Sequence, residues 1–139
     1  MTEPNRVKWV GIRPTNPAEI IPVSNNVQGG TVIESVKDTD TIAGDVLLST
    51  TPVPAGETHE ITSVLAWNSV SAITRIFIQL VSGGSNVKLR RKTGPAIDEE
   101  IMLNNSVTLH AGDYLQGYFI GCILHDNIQI HIAGHKLNF

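Results

Sequence analysis

The chain has 139 residues, a formal net charge of −3 and one cysteine, and 17% of its residues are charged. This length is typical of a single domain with a sizeable core, and a lone cysteine excludes an internal disulfide. The low charge argues against binding of nucleic acid or a membrane surface by the domain as a whole. No apolar run approaches the ~20 residues of a membrane span. The polar N-terminus indicates no signal peptide, so we expect synthesis in a cytoplasm.

The N-terminal third is expected to be the least regular part. It contains four prolines by residue 22, and residues 16–19 (Asn-Pro-Ala-Glu) have the cap, proline and glutamate that begin a helix of about one turn. Short strands are predicted over residues 7–12, 31–36 and 45–49. We therefore divide the single domain into an extended N-terminal arm with edge strands (1–45) and a β-sandwich core (46–139).

A β-hairpin is the most clearly predicted element. Residues 74–81 place Ile76 and Ile78 on one strand face and Phe77 and Val81 on the other. A Gly-Gly turn follows, and the alternation resumes over residues 87–90, as expected of a hairpin. Because Phe77 and Val81 lie opposite the expected core, we expect them to be exposed.

Further strands are predicted on both sides of this hairpin. In residues 60–68, Ile61, Leu65 and Trp67 are assigned to one face. Residues 114–123 and 128–132 are predicted to form a closing hairpin, and Gly134 to end or bulge its last strand. Short strands are also predicted over residues 101–103 and 107–109. Eight to ten short strands without a long helix predict an all-β fold, an antiparallel β-sandwich or jelly roll.

No sequence pattern indicates a catalytic site, a metal site or a cofactor. The chain lacks G-x-G-x-x-G, G-x-x-x-x-G-K-[ST] and G-x-S-x-G. Cys122 lies in an apolar run, which predicts a buried thiol with a raised pKa. His125, His131 and His135 are close in sequence without an acidic partner at a fixed spacing, so an interface metal is an alternative only. We expect a protein that is not an enzyme.

One predicted surface is an oligomer interface. A monomer usually carries more surface charge than this chain does, which indicates that another chain covers part of it. The side chains assigned to this interface are Phe77, Val81, Tyr118 and Ile120. We therefore expect self-association through outward-facing apolar positions of the strands.

A basic cluster is the second predicted surface. It consists of Lys88, Arg90, Arg91 and Lys92, with Lys88 and Arg90 assigned to one strand face. It is either a solvated strand end or a docking patch for an acidic partner surface. Residues 98–100 (Asp-Glu-Glu) are candidates to pair with it, within the chain or in a neighbouring copy.

Two segments resemble small virion proteins of tailed bacteriophages. Residues 52–64 (PVPAGETHEITSV) are similar to a P-A-G-E run that leads into a core strand of those proteins. Residues 107–115 (VTLHAGDYL) are similar to their later L-x-A-G-D run, which also occurs in jelly-roll trimers of the tumour-necrosis-factor-like shape. With a closing strand near Gly134, the resemblance covers roughly residues 50–137 and does not extend to residues 1–45.

The resemblance implies a structural protein of the virion, made in the host cytoplasm, and in particular a capsid decoration protein. It implies a homo-oligomer, with a trimer favoured, that binds a major capsid or tail protein. The alternative is a glycan-binding β-sandwich module of the tail or receptor-binding type. Its candidate aromatic residues are Trp9, Trp67, Tyr114 and Tyr118.

Overall fold

The computed structural model describes residues 28–137, which contain nine β-strands. They are β1 (Gln28–Asp38), β2 (Gly44–Ser49), β3 (Thr58–Asn68), β4 (Arg75–Ser82), β5 (Ser85–Thr93), β6 (Ile101–Leu103), β7 (Val107–His110), β8 (Tyr114–Cys122) and β9 (Ile128–Leu137). Within the described residues, no helix has the length and apolar character needed to cross a membrane. The strand predicted over 7–12, the helical turn over 16–19 and the arm as far as residue 27 lie outside this range. The boundary drawn between residues 45 and 46 falls inside β2.

The strands form two antiparallel sheets, and the predicted all-β fold with an antiparallel β-sandwich is confirmed. One sheet has the order β1-β9-β3-β6, with β7 also paired to β3, and the other has the order β2-β8-β4-β5. Chain neighbours lie mostly in different sheets, so the connections cross from one layer to the other. The prediction that residues 114–123 and 128–132 form a closing hairpin is wrong, because β8 and β9 belong to different sheets.

The predicted hairpin of β4 and β5 is confirmed. The two strands pair from Arg75 opposite Thr93 to Ser82 opposite Ser85, which leaves a two-residue turn. Gly83 and Gly84 both have positive φ, at 57° and 81°. Two successive residues of positive φ make a turn whose twist matches that of the paired strands.

The inner faces of the two sheets form one aliphatic core. Its largest fully buried members come from both layers, and they are Ile61, Val64, Ile76, Ile78, Leu109, Leu115, Phe119, Ile128 and Ile130. The predicted inward alternation of the isoleucines in β9 is confirmed. Complete burial of each such side chain contributes about 1.5–3 kcal/mol, so this contact is the main source of the sandwich's stability.

The prediction that Leu65 and Trp67 share a strand face with Ile61 is wrong. Ile61 is buried, but so are Val64 and Ala66, while Leu65 and Trp67 are half-buried on the opposite face. The reason lies in the pairing of β3. It pairs with β7 up to Ile61 and with β6 from Val64, and the inward alternation shifts by one residue between these two partners.

Of the two alternatives predicted for Gly134, an end of the strand is wrong, because β9 continues to Leu137. At Gly134, β9 lies so near β3 that an added Cβ would fall 2.8 Å from the Cα of Ile61 and closer still to the carbonyl oxygen of Glu60. Only glycine permits this approach of the two backbones.

A buried aspartate joins three loops at one end of the sandwich through its carboxylate and its backbone carbonyl. Asp126 is fully buried and accepts hydrogen bonds from the Ser71 hydroxyl at 2.8 Å and the Ile123 amide at 2.8 Å. Its carbonyl accepts from the amide of Thr41 at 3.2 Å, and Thr41 accepts in turn from the amide of His125 at 2.8 Å. The loops before β2, before β4 and before β9 are therefore joined through one residue.

Replacing Gly134 with alanine is expected to lower the free energy of unfolding by about 3 kcal/mol, because two backbones must move apart. The control is Gly84→Ala, whose added Cβ meets no atom within 4 Å. It carries only the cost of positive φ, about 1 kcal/mol. Urea unfolding followed by circular dichroism measures both. Equal losses would contradict the close approach of β9 and β3.

Asp126→Ala is expected to lower the free energy of unfolding by about 3 kcal/mol, since it leaves the Ser71 hydroxyl and the Ile123 amide without their acceptor and opens a cavity at a fully buried position. Asp40→Ala, at the same end but exposed, should change it by less than about 0.5 kcal/mol. The same urea titration compares the two. A small loss for Asp126→Ala would show that the three loops hold together without the carboxylate.

Candidate binding surfaces

The residues predicted as an oligomer interface share the outer face of the four-stranded sheet. Phe77 of β4 lies directly opposite Tyr118 of β8, and Ile120 lies opposite Arg75. The rings of Phe77 and Tyr118 stack with their centroids 6.0 Å apart and an angle of 27° between their planes. The structure therefore brings the predicted residues onto one surface, which we call the aromatic face.

The expected exposure of Phe77 and Val81 is wrong. They are 6% and 8% exposed, whereas Tyr118 and Ile120 are half-buried. Two cations cover the Phe77 ring, with the guanidinium carbon of Arg75 at 5.8 Å and the Nζ of Lys88 at 4.9 Å from its centroid. Alternation along β4 reveals which face a side chain is on, but it does not reveal that long neighbours cover this face.

A row of polar side chains crosses the aromatic face. The Nε2 of Gln79 donates to the Oε1 of Gln116 at 2.7 Å, and the Nε2 of Gln116 donates to the hydroxyl of Ser49 at 2.8 Å. The row joins β4, β8 and β2. Gln79 is 2% exposed, and its buried Oε1 has no hydrogen-bond partner among the residues that the structure describes. The alternation along β4 places Gln79 on the outer face, but nothing in the sequence indicates its burial.

Lys88 and Arg90 do not share a strand face, contrary to expectation. The register of the hairpin shifts between Ile78 and Gln79, so Arg90 lies opposite Ile78 and Lys88 lies opposite Gln79. This β-bulge reverses the alternation. Arg90 points to the inner side, where its Nε donates to the carbonyl of Met102 in the other sheet at 3.2 Å.

The remaining members of the basic cluster have different surroundings. Arg91 lies opposite Phe77 on the outer side. Lys92 pairs with Glu99 across 3.4 Å, which confirms a partner within residues 98–100. Lys88, Arg90 and Arg91, together with Phe77 and Leu89, line a shallow recess of about 270 Å³. We call this the basic recess.

The outer face of the five-stranded sheet carries apolar side chains that sequence reasoning did not assign to a surface. Ile33 of β1 and Met102 of β6 are 67% and 49% exposed, and Leu65 and Trp67 of β3 are half-buried. Leu65 lies opposite Met102. We call these four residues the apolar sheet face. The shift of alternation in β3 is what moves Leu65 and Trp67 out of the core.

A second recess, of about 260 Å³, lies beside β1. Its apolar lining includes Val53, Ile61 and Leu109. The Nε2 of His59 lies 2.8 Å from Glu57, and Lys136 lies 3.6 Å from the same carboxylate. The hydrogen bond with His59, with a smaller contribution from Lys136, lowers the pKa of Glu57. These polar groups satisfy one another, so the recess offers a mainly apolar surface.

The histidines of the described residues are distributed over separate hydrogen bonds. His131 contacts the hydroxyl of Ser35 at 2.6 Å, His135 lies 3.3 Å from Glu60, and His125 contacts Asp40. Between residues 28 and 137, no group of three or more His, Cys, Asp or Glu side chains could hold a metal ion.

Cys122 is buried, as predicted. Burial, with a smaller effect of nearby aspartates, raises the pKa of its thiol to about 11. A thiol with so high a pKa carries almost no thiolate at neutral pH, so Cys122 has little nucleophilic reactivity.

The two segments that resemble virion proteins meet in space. The amide of Gly112 donates to the carbonyl of Val53 at 2.8 Å, and the amide of Val53 donates to the carbonyl of Asp113 at 3.0 Å. Asp113 also closes its own turn, because its carboxylate accepts from the amide of His110 at 2.9 Å. Hydrogen bonds from the Ser82 hydroxyl and this amide lower the pKa of Asp113.

Comparisons with known proteins give no family for this chain. No protein-family model matches it, and no curated protein matches it. Seventeen chains of solved structures do match. One of them, described as "CBM4 structure and function", has 14% sequence identity and a TM-score of 0.30, over 81% of this chain and 89% of that one. A likeness this distant carries no argument about function.

Asp113 should make the stability depend on pH in the acid range. Its folded-state pKa is below the value of 3.8 for an unperturbed carboxyl, so between these values the unfolded chain binds more protons. The stability that the ionised Asp113 carboxylate contributes is fully present above the pKa of this group in the unfolded chain. It is lost as the pH falls through the pKa of Asp113 in the folded protein. Asp113→Asn should be about 1–2 kcal/mol less stable at neutral pH, with a difference that narrows in acid.

Urea unfolding at a series of pH values tests this expectation. The control is Asp98→Asn, which keeps the Asp113 carboxylate. The difference in free energy of unfolding between this control and Asp113→Asn should also become smaller as the pH falls. A difference between wild type and Asp113→Asn that stays constant down to the lowest pH would contradict the role of the ionised carboxylate.

Proposed function

We propose that this chain is a non-enzymatic structural protein of a virus particle, a capsid decoration protein that acts as a symmetric homo-oligomer. The observation that carries the proposal is the apolar sheet face. Ile33 and Met102 are large apolar side chains open to solvent, and Leu65 and Trp67 lie half-exposed on the same sheet. Large apolar side chains that are exposed on one sheet face favour a contact with another protein.

The apolar sheet face is suited to a contact between copies because it is rigid. Its side chains stand on β1, β3 and β6, whose opposite sides belong to or adjoin the aliphatic core. Because these strands are already ordered, the chain loses little conformational freedom on binding, and the entropic cost of association is low. A closed oligomer follows if each copy presents the same face around an axis. The resemblance to virion proteins supports a trimer and a particle surface as its partner.

The aromatic face supports a second candidate function, the binding of a glycan. A half-buried tyrosine, Tyr118, lies beside the amides of Gln79 and Gln116, and rings combined with hydrogen-bonding side chains suit sugar recognition. Against this, Phe77 is buried beneath two cations, so it offers no open ring for a sugar to stack on. We therefore place assembly first.

Light scattering of the purified full chain tests the oligomer. A trimer of 15.0 kDa chains has a mass of about 45 kDa, and an apolar contact should keep this mass at high salt. Met102→Glu should raise the dissociation constant at least tenfold, because burial of an unpaired carboxylate costs several kcal/mol.

The matched control is Ile97→Glu, which changes an apolar side chain of similar exposure, 53%, in the loop before β6. It should leave the mass unchanged. A wild-type chain that remains monomeric at all concentrations would refute the proposal and leave glycan binding as the better candidate. Dissociation by both variants alike would show that the apolar sheet face is not the contact.

A further inference from the structure

A second apolar surface lies at the end of the sandwich that Asp126 holds together. Four aliphatic side chains of three neighbouring loops are largely exposed there, namely Ile42 at 70%, Val70 at 49%, Ile123 at 54% and Leu124 at 57%. We call these four residues the loop tip. Exposed apolar side chains usually occur singly, so their clustering indicates a contact with a partner.

The loop tip is held in one arrangement by its backbone. Thr41, the residue before Ile42, donates from its hydroxyl to the carbonyl of Ile123 at 3.1 Å. The amide of Val70 donates to Asn68 at 3.0 Å, and the amide of Ser69 donates to Asn127 at 2.9 Å. Since the loops are already ordered, binding through the loop tip has a low entropic cost.

The described surroundings of the loop tip are acidic. Asp40 precedes Ile42 by two residues and is largely exposed. Asp45 at the start of β2 is exposed and binds the amide of Gly121 at 3.2 Å, and Asp38 accepts from the amide of Asp40 at 3.0 Å. A partner of the loop tip must therefore offer apolar surface with a rim of positive charge.

The basic recess on the same chain has this chemistry. The cations of Lys88, Arg90 and Arg91 line it beside the half-buried side chain of Leu89, and Val87, the residue before Lys88, offers an apolar side chain that is 51% exposed. The loop tip consists of loop residues, whereas the basic recess lies along the edge strand β5. The two surfaces are therefore different parts of the molecule with opposite charge and shared apolar character.

We propose that the loop tip of one copy docks into the basic recess of a second copy. This contact is separate from the apolar sheet face and does not depend on the proposed function. Because it joins two different surfaces, it is heterologous and builds rings or open arrays, unless it occurs twice in a two-fold pair. Its rim of opposite charges makes it sensitive to salt, unlike a purely apolar contact.

Charge exchange tests the docking in the full chain. One variant, Asp40→Lys with Asp45→Lys, makes the rim of the loop tip positive. The other, Lys88→Glu with Arg91→Glu, makes the basic recess negative. Each variant then carries like charges on both surfaces, and its salt-sensitive association should weaken at least tenfold. An equimolar mixture should restore association, because each variant supplies the complement of the other.

Light scattering over a range of protein concentrations at low and high salt gives the readout, and circular dichroism checks that each variant is folded. Glu100→Lys, an exposed carboxylate outside both surfaces, is the control for net charge and should associate like wild type. A wild-type mass that does not rise with concentration at low salt would overturn the proposal. So would a mixture that associates no better than its components.

A membrane is the other partner that exposed aliphatic loops could fit, although the acidic rim disfavours an anionic lipid surface. Ile123→Ser with Leu124→Ser separates the two cases. The docking proposal expects this variant to lose the salt-sensitive association and the wild type not to bind phosphatidylcholine vesicles. Wild-type binding to the vesicles that the variant loses, with self-association unchanged, would overturn the proposal.

Discussion

The packing of the two sheets against each other is the contact on which every surface of this protein depends. Phe119 of β8 and Ile76 of β4 come from one layer, and Ile61 and Ile130 come from the other, and all four are fully buried. Because successive strands cross between the layers, neither sheet has its strands in place without the other. A change in this core is therefore felt on both outer faces, since the interior is packed to near-crystalline density.

Hydrogen bonds of two aspartates connect the loops at the two ends of this core. Asp126 joins three loops at one end, and Asp113 joins the turn before β8 to the loop before β3 at the other. Both carboxylates accept a hydrogen bond from a backbone amide, of His110 for Asp113 and of Ile123 for Asp126, and so fix the turns in which they lie. These hydrogen bonds hold the exposed apolar side chains of the loops in fixed positions, and the proposed docking of the loop tip depends on this rigidity.

The binding surfaces differ in the physics of their contacts. The apolar sheet face consists of side chains on paired strands, so its contacts gain from burial of apolar area and respond little to salt. The loop tip and the basic recess combine apolar side chains with opposite charges, which favour one orientation and fast association. The two proposed contacts therefore differ in their expected response to salt, which distinguishes them by experiment.

The sequence by itself determined the fold class, the hairpin of β4 and β5, the inward isoleucines of β9 and the burial of Cys122, because a two-residue period and turn glycines are local properties of a strand. It did not reveal that β8 and β9 lie in different sheets, since strand partners are chosen by packing over long distances along the chain. Only the tertiary structure showed the shift in β3 that exposes Leu65 and Trp67, and the bulge in β5 that separates Lys88 from Arg90. In both strands, a shift of the inward–outward alternation by one residue moves the following side chains to the other face of the sheet. The pairing with neighbouring strands decides where this shift occurs, and that pairing is not a local property of the sequence.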